Sequence, residues 1–308
     1  MYGIIPFILS SPFYGICELV IYRRIRAVLG GHMTAAISGG GALQNEIESF
    51  YHAVGFNLIE EYGMTEAAPV LSVRNPLKPR AGCVGVVFPS SEIKIVAVGK
   101  DGTLGADPLP PGKKGIVMAR GRQIMKGYYN RPDLTVRVID KDGWLNTGDI
   151  GMMTLDREIK ITGRAKDTIV LLGGENVEPA FIEDSHSNSP FIKRVMIVGQ
   201  DKKYIAALIV PRKNAVTEWA GISRIMYNSW ETLLESNEMQ LMFREKIERL
   251  LNEKTGFRTC ERISRFVFLP ESFVQKKEIN TKGEMMRHKI RRLYDRQIHM
   301  LFLNGGRE

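Results

Sequence analysis

The chain has 308 residues, 44% hydrophobic and 25% charged, a balance near the globular average that excludes collagen-like, low-complexity and wholly disordered classes. Three scattered cysteines (Cys17, Cys83, Cys260) and five histidines without ligand spacing argue against a disulfide scaffold and a zinc site, and fit a reducing, cytoplasmic compartment. The net charge of +9 gathers toward the C-terminus, where residues 276–297 hold eight basic and three acidic side chains. Anionic lipid, a phosphorylated ligand, nucleic acid or a solvated helix face could each account for it.

Residues 3–22 are almost all apolar and about as long as a membrane span. Pro6 and Pro12 are expected to break a helix there, and Glu18 would be costly in hydrocarbon. No signal-peptide flanks are present. Arg23, Arg24 and Arg26 follow. The segment reads as buried or interfacial, with peripheral membrane contact or a span as alternatives.

Residues 34–38 read as a strand entering a glycine turn. Residues 43–54 read as a helix with Ile47, Phe50, Tyr51 and Val54 on one face. A short strand at 57–60 ends at a loop, 92–98 alternates as a half-buried strand, and 101–115 is turn-rich. Strands at 115–119 and 150–155 follow, the latter turning into 159–162. A boundary at 163–167 separates residues 1–162 from 168–308. The second unit reads as α+β: strands at 194–198, 204–210 and 262–269, and a helix at 238–252 capped by Asn237. The fold class is α/β followed by a smaller α+β unit.

Five motifs carry chemistry. Ser38-Gly39-Gly40-Gly41-Ala42 lies between strand and helix, where backbone N–H groups can approach an anion. In Glu61-Tyr62-Gly63-Met64-Thr65-Glu66, Thr65 offers a hydroxyl to a phosphate and Glu66 a hard oxygen to magnesium. Gly143 to Asp149 places a carboxylate after a glycine turn, suited to ribose hydroxyls. Arg164 is a fixed cation in Gly163-Arg164-Ala165-Lys166-Asp167. Gly173-Gly174-Glu175 is a loop running into a helix. Singly, each is equally well a turn.

Their order resembles the AMP-forming acyl-CoA synthetases of the adenylate-forming superfamily, in particular its long-chain fatty-acid branch. The resemblance rests on SGGGAL, EEYGMTEAAPV, GWLNTGDIG and ITGRAKDTIVLLGGENVEP and covers nearly all of residues 20–290. It implies the latter part of a large AMP-binding domain, with mixed sheets and helices, a hinge at 163–167 and a small mobile C-terminal domain. It also implies ATP-dependent conversion of a fatty acid to acyl-adenylate, then transfer to coenzyme A, with a carrier-protein acceptor as the alternative.

Carried over residue by residue, Gly39, Gly40, Gly41 and Ala42 would line the adenine of ATP or AMP. Tyr62 would stack on it, with Glu61 and Gly63 beside it. Thr65 would contact the α-phosphate and Glu66 would hold magnesium. Asp149 and Arg164 would grip the ribose, Lys166 would mark the hinge, and Gly173, Gly174 and Glu175 would serve thioester formation.

Two departures stand out. The Ser/Thr/Gly-rich phosphate loop expected upstream of SGGGAL has no counterpart in this sequence. The catalytic-lysine stretch reads Glu278-Ile279-Asn280-Thr281-Lys282-Gly283-Glu284, so Glu284 stands at the lysine position, with Lys282 as a nearby substitute. The expectation is an incomplete enzyme that lacks an N-terminal half. A non-catalytic AMP-binding protein, or one half of a split enzyme, is the alternative. Fatty acid, ATP and coenzyme A are the expected partners, with peripheral membrane contact and no nucleic acid, since charge alone supports the latter.

Overall fold

The computed structural model describes residues 12–41, 43, 45–80, 82–99, 102–187, 189–251, 256–281 and 283–303. The chain divides into two units, Met1–Ile161 and Thr162–Glu308.

In the first unit, α1 (Pro12–Cys17) continues through a π-helical turn (Glu18–Tyr22) into α2 (Arg23–Val28). Pro12 starts this helix rather than breaking it, because a first-turn N–H has no partner to lose. Residues 3–11 of the apolar segment, with Pro6, lie outside the described residues; in the part described, Leu19 is 70% exposed, and Ile16, Val20 and Ile21 are exposed too, which fits the interfacial rather than the buried reading. Arg26 instead ties the segment down, pairing with Glu18 and donating to the Val54 carbonyl. Among the described residues, no helix is long and apolar enough to cross a membrane.

β1 (Ala35–Ser38) and β2 (Asn57–Gly63) run parallel, joined through α3 (Asn45–Ala53), as a parallel pair requires a crossover. Val54 is buried beyond α3, but Ile47 and Phe50 remain exposed. Then come β3 (Val70–Val73), β4 (Gly85–Val87), β5 (Ser91–Val98), β6 (Leu104–Pro108), β7 (Gly115–Gly121), α4 (Pro132–Val138), β8 (Leu145–Met153) and β9 (Glu158–Arg164). Among the described residues the strands form one sheet in the order β1-β2-β3-β4-β9-β8-β7-β5-β6.

Three stretches expected as loops are strand. β2 continues through Glu61, Tyr62 and Gly63 by pairing with β3. The turn-rich 101–115 region contains β6, which covers the outer edge of β5. Residues 145–149 belong to β8. In β5, simple alternation gives way to adjacent burial of Ile95 and Val96, because both faces of the strand are covered. Ile95 packs with Tyr62, Leu71, Val117 and Ile159, and Val96 packs with Ile116 and Met118.

The second unit opens with the antiparallel pair β10 (Ile169–Val170) and β11 (Asn176–Val177). α5 (Pro179–Ser187), β12 (Ile192–Val198), β13 (Ile205–Pro211), α6 (Lys213–Ile222), α7 (Trp230–Glu235), α8 (Asn237–Leu250), β14 (Ile263–Phe268), α9 (Arg287–Leu293) and α10 (Asp295–Leu303) follow. β13 is central, antiparallel to β12 and parallel to β14, and buried along its whole length. Its alternate residues feed two cores. Ile205, Ala207 and Ile209 pack with Ile182, Val216, Leu233 and Phe243, while Ala206, Leu208 and Val210 pack with Phe273, Ile290 and Leu301. α8 is capped by Ser236, whose hydroxyl accepts from Met239 N at 3.3 Å; the expected cap, Asn237, is already the first helical residue.

Candidate functional site

In the first unit the glycine turn leaves β1 beside the neighbouring strand β2. A Cβ on Gly39 would lie 2.3 Å from Glu61 Oε1, so the Glu61 side chain packs against the turn. Leu43 N, beyond the turn, donates to Glu60 Oε1 at 3.2 Å. Glu60 is buried, and burial pushes its carboxyl up; the Leu43 N–H and the Arg74 guanidinium pull the other way. Arg74 is 1% exposed. It donates to Glu60 Oε2 at 2.6 Å and to the Cys83 carbonyl at 2.8 Å, and it pairs with Glu48. This buried cation holds the base of the turn. Sequence reasoning missed it, since nothing local marks an arginine as interior.

At the end of β2, Gly63 meets β3 too closely for any side chain: a Cβ there would sit 1.7 Å from the Pro69 carbonyl oxygen. Thr65–Ala67 forms a single 3-10 turn. Thr65 is exposed, while Glu66 is half-buried. Tyr128 Oη donates to Glu66 Oε1 at 2.9 Å, and Met125 N donates to the Glu66 carbonyl at 2.8 Å. Burial raises the Tyr128 phenol, and the adjacent Glu66 carboxylate adds to this. Tyr128 is a second residue that sequence reasoning missed; its only local signal is an aromatic pair after Gly127.

The Gly143–Asp149 motif differs from expectation. Asp149 does not follow a glycine turn but lies inside β8. Ile116 pairs with Ile150 and Met118 with Asn146, so Thr147, Gly148 and Asp149 stand opposite Val117 alone. The bulge is possible because Gly148 takes φ +72°, a left-handed value that other residues adopt at a cost. Thr147 Oγ1 fills the gap, donating to the Val117 carbonyl at 2.8 Å and accepting from Asp149 N at 3.1 Å. The bulge re-aims Asp149 so that Tyr62 Oη donates to its Oδ2 at 2.8 Å, with both residues buried.

In the second unit, Arg164 ends β9 and Lys166 sits in a 3-10 turn (Ala165–Asp167); both are exposed. Gly173, Gly174 and Glu175 form the turn between β10 and β11, closed by Gly174 N to Leu171 O at 2.8 Å. Glu284 lies in an exposed turn, where its Oε2 accepts from Asn280 Nδ2 at 2.8 Å and its N donates to Asn280 Oδ1 at 2.9 Å. Ala42 and Lys282 lie outside the described residues. Among the described residues, no group of three or more His, Cys, Asp or Glu could hold a metal.

Residues 19–129 match the AMP-binding enzyme family model, and residues 166–304 match the model of the AMP-binding enzyme C-terminal domain. The chain belongs to the AMP-binding enzyme family. Among the relatives of this chain is the long-chain-fatty-acid–[acyl-carrier-protein] ligase AEE15 of Arabidopsis thaliana chloroplasts. It is 38% identical over 212 residues, or 66% of this chain and 28% of that protein. The long-chain-fatty-acid–CoA ligase FadD15 of Mycobacterium bovis is 32% identical over 214 residues, 70% of this chain and 33% of that protein. The chain thus matches about a third of the length of these relatives. The adenylation domain of a carboxylate reductase from Mycobacterium chelonae shares the fold, with TM-score 0.74 at 22% identity over 96% of this chain and 42% of that one.

Proposed function

We propose that this AMP-binding enzyme carries the nucleotide-side machinery of a ligase that activates long-chain fatty acids. In such a reaction a carboxylate oxygen bonds to the α-phosphorus of ATP as the bond to pyrophosphate breaks. A thiol sulfur then bonds to the acyl carbon, the bond to AMP breaks, and the thiol proton leaves to solvent.

The buried Tyr62–Asp149 hydrogen bond carries this reading. It fixes the orientation of both side chains; in this reading Tyr62 is assigned to the adenine, Asp149 to the ribose hydroxyls, and the backbone of Gly39, Gly40 and Gly41 to the edge of the adenine. Thr65, exposed on its turn, offers its hydroxyl to the α-phosphate. Glu66, oriented by Tyr128, fits a magnesium ion that takes its remaining oxygens from phosphate and water. Magnesium, when bound, offsets the phosphate charge that would otherwise repel the incoming carboxylate. Arg164 is assigned to the ribose, Lys166 to the pivot, and the turn of Gly173, Gly174 and Glu175 to thioester formation. Coenzyme A is the proposed acceptor. A carrier protein is the alternative, supported by the name of the Arabidopsis relative, an acyl-carrier-protein ligase.

We further propose that this chain alone binds AMP but does not complete adenylation. No hydroxyl-rich phosphate loop occurs in its sequence, and Glu284 stands where the resemblance calls for a lysine. The lock of Glu284 onto Asn280 favours a second reading, a nucleotide-binding protein that regulates or pairs with a separately encoded half. Titration calorimetry with AMP, and product assays with palmitate, ATP and either coenzyme A or acyl carrier protein, separate these readings. AMP binding without product is expected. Rapid turnover by the isolated chain would overturn the incompleteness, and absence of AMP binding would overturn the nucleotide-side assignment.

A further inference from the structure

In the first unit one residue closes both ends of the glycine turn. Glu60 stands opposite Ser38 in the parallel ladder of β1 and β2, directly before Gly39, Gly40 and Gly41. Its side chain reaches past the turn, where Oε1 accepts from Leu43 N at 3.2 Å. Between these two points Gly40 takes φ +80°, and a Cβ on Gly40 or Gly41 would meet nothing within 4 Å. Glycines with no group packed where side chains would lie are conformationally free unless their ends are held. Glu60 holds both ends, one through its strand register and one through its carboxylate.

The charge balance behind the turn points the same way. Glu60 Oε2 accepts from Arg74 Nη2 at 2.6 Å, yet Arg74 also pairs with Glu48 and donates to the Cys83 carbonyl at 2.8 Å. One guanidinium therefore serves two carboxylates. Arg74 and Glu48 balance each other without Glu60, and a further carboxylate taken out of water is unfavourable. Burial accordingly pushes the Glu60 carboxyl up. An apolar residue at this position would fill the volume without that cost, but it would leave Leu43 N unheld. A carboxylate with one oxygen on a fixed cation and the other facing the turn makes a stiff brace for the backbone.

We propose that Glu60 is a positioning residue for the nucleotide: it braces the glycine turn from both ends and so presets the backbone that receives the adenine, while Arg74 keeps its carboxylate aimed. The effect on the nucleotide rests on the assignment of the turn to the adenine made above; the brace itself rests on the geometry alone. Such preorganisation raises affinity because the turn is ordered before the ligand arrives.

The test compares E60Q and E60D with E48Q, all in the full chain. E60Q has one acceptor oxygen for two donors, so either Leu43 N or Arg74 loses its partner, and Arg74 keeps Glu48. E60D retains the charge beside Arg74 but is one methylene shorter, too short to span both donors. E48Q weakens the same arginine from α3 and leaves the bond to Leu43 N in place. The readouts are hydrogen–deuterium exchange of the turn amides from Gly39 to Leu43 and titration calorimetry with AMP, with the melting temperature measured alongside. In E60Q and E60D the turn amides are expected to exchange about tenfold or more faster, and AMP to bind about tenfold or more weaker, as loss of one charge-assisted hydrogen bond allows. E48Q is expected to melt lower yet keep both turn exchange and AMP affinity within about twofold of the parent. A purely structural role would instead weaken AMP in all three variants in step with their melting temperatures.

Turn exchange in both Glu60 variants equal to that of the parent would overturn the brace. Faster exchange with AMP affinity unchanged would overturn its bearing on the nucleotide, and so would an equal loss of affinity in E48Q. A parent chain that binds no AMP overturns the nucleotide assignment itself, and in that case the exchange contrast still decides whether Glu60 holds the turn.

Discussion

Tyr62 and Asp149, 87 residues apart in sequence, meet in a 2.8 Å hydrogen bond that joins β2 to β8 inside the first unit. The phenol donates and the carboxylate accepts, so each fixes the orientation of the other. Y62F keeps the ring and removes the donor to a buried charge, an interaction worth roughly 1.5–3 kcal/mol. AMP affinity measured by calorimetry is expected to fall about tenfold or more, with a drop in melting temperature of several degrees. Unchanged affinity would separate this pair from the nucleotide.

The glycines of the site are not equivalent. A Cβ at Gly63 would overlap the Pro69 carbonyl at 1.7 Å, whereas a Cβ at Gly41 meets nothing within 4 Å. G63A is expected to displace the turn holding Thr65 and Glu66 and to destabilise the chain by about 2 kcal/mol or more, while G41A stays within about 0.5 kcal/mol. Urea unfolding of both variants checks the contrast, and equal effects would contradict it.

Glu183, on α5, is buried beside Arg287 and accepts from Ile197 N at 2.7 Å. Burial pushes its carboxyl from 4.5 up to about 7, against the opposing pull of Arg287. A folded value above the unfolded one means stability is fully present below pH 4.5 and is lost as pH rises through 7. The parent is therefore expected to lose on the order of a few kcal/mol between about pH 5 and 8 from this group. E183Q, which cannot titrate, is expected to show a flatter profile although Arg287 loses its partner. Denaturant unfolding across that pH range reads the slope, and matching slopes would rule out Glu183 as its source.

At the start of α8, S236A removes the cap that accepts from Met239 N and is expected to cost about 1 kcal/mol. N237A, at the first helical position, is expected to cost less than half of that. Thermal unfolding distinguishes them, and the reverse order would restore Asn237 as the cap.

Much of the second unit was legible in advance. The run at 204–210 is apolar at every position but its first, which suits a strand covered on both faces, and β13 is that strand. Its limits shifted by one residue at each end. Helix α9 drew notice only as charge, because its basic residues outnumber its two apolar ones, Ile290 and Leu293.

The first unit was less legible where it matters most. Asp149 was expected after a turn because Gly143 and Gly148 punctuate the motif, yet β7 draws residues 145–149 into β8 and Gly148 absorbs the misfit as a bulge. Arg74 is interior only because Glu48, Glu60 and the Cys83 carbonyl converge on it from three places in the chain.

What the sequence determined by itself was local and ordinal: the succession of glycine-bounded motifs, the alternation that marks strands, and hence the family and fold class. The tertiary structure alone decided the pairings, Tyr62 with Asp149, Glu66 with Tyr128 and Arg74 with its carboxylates. These contacts depend on strand register, where a one-residue slip turns each side chain to the opposite face, and no local periodicity encodes that choice.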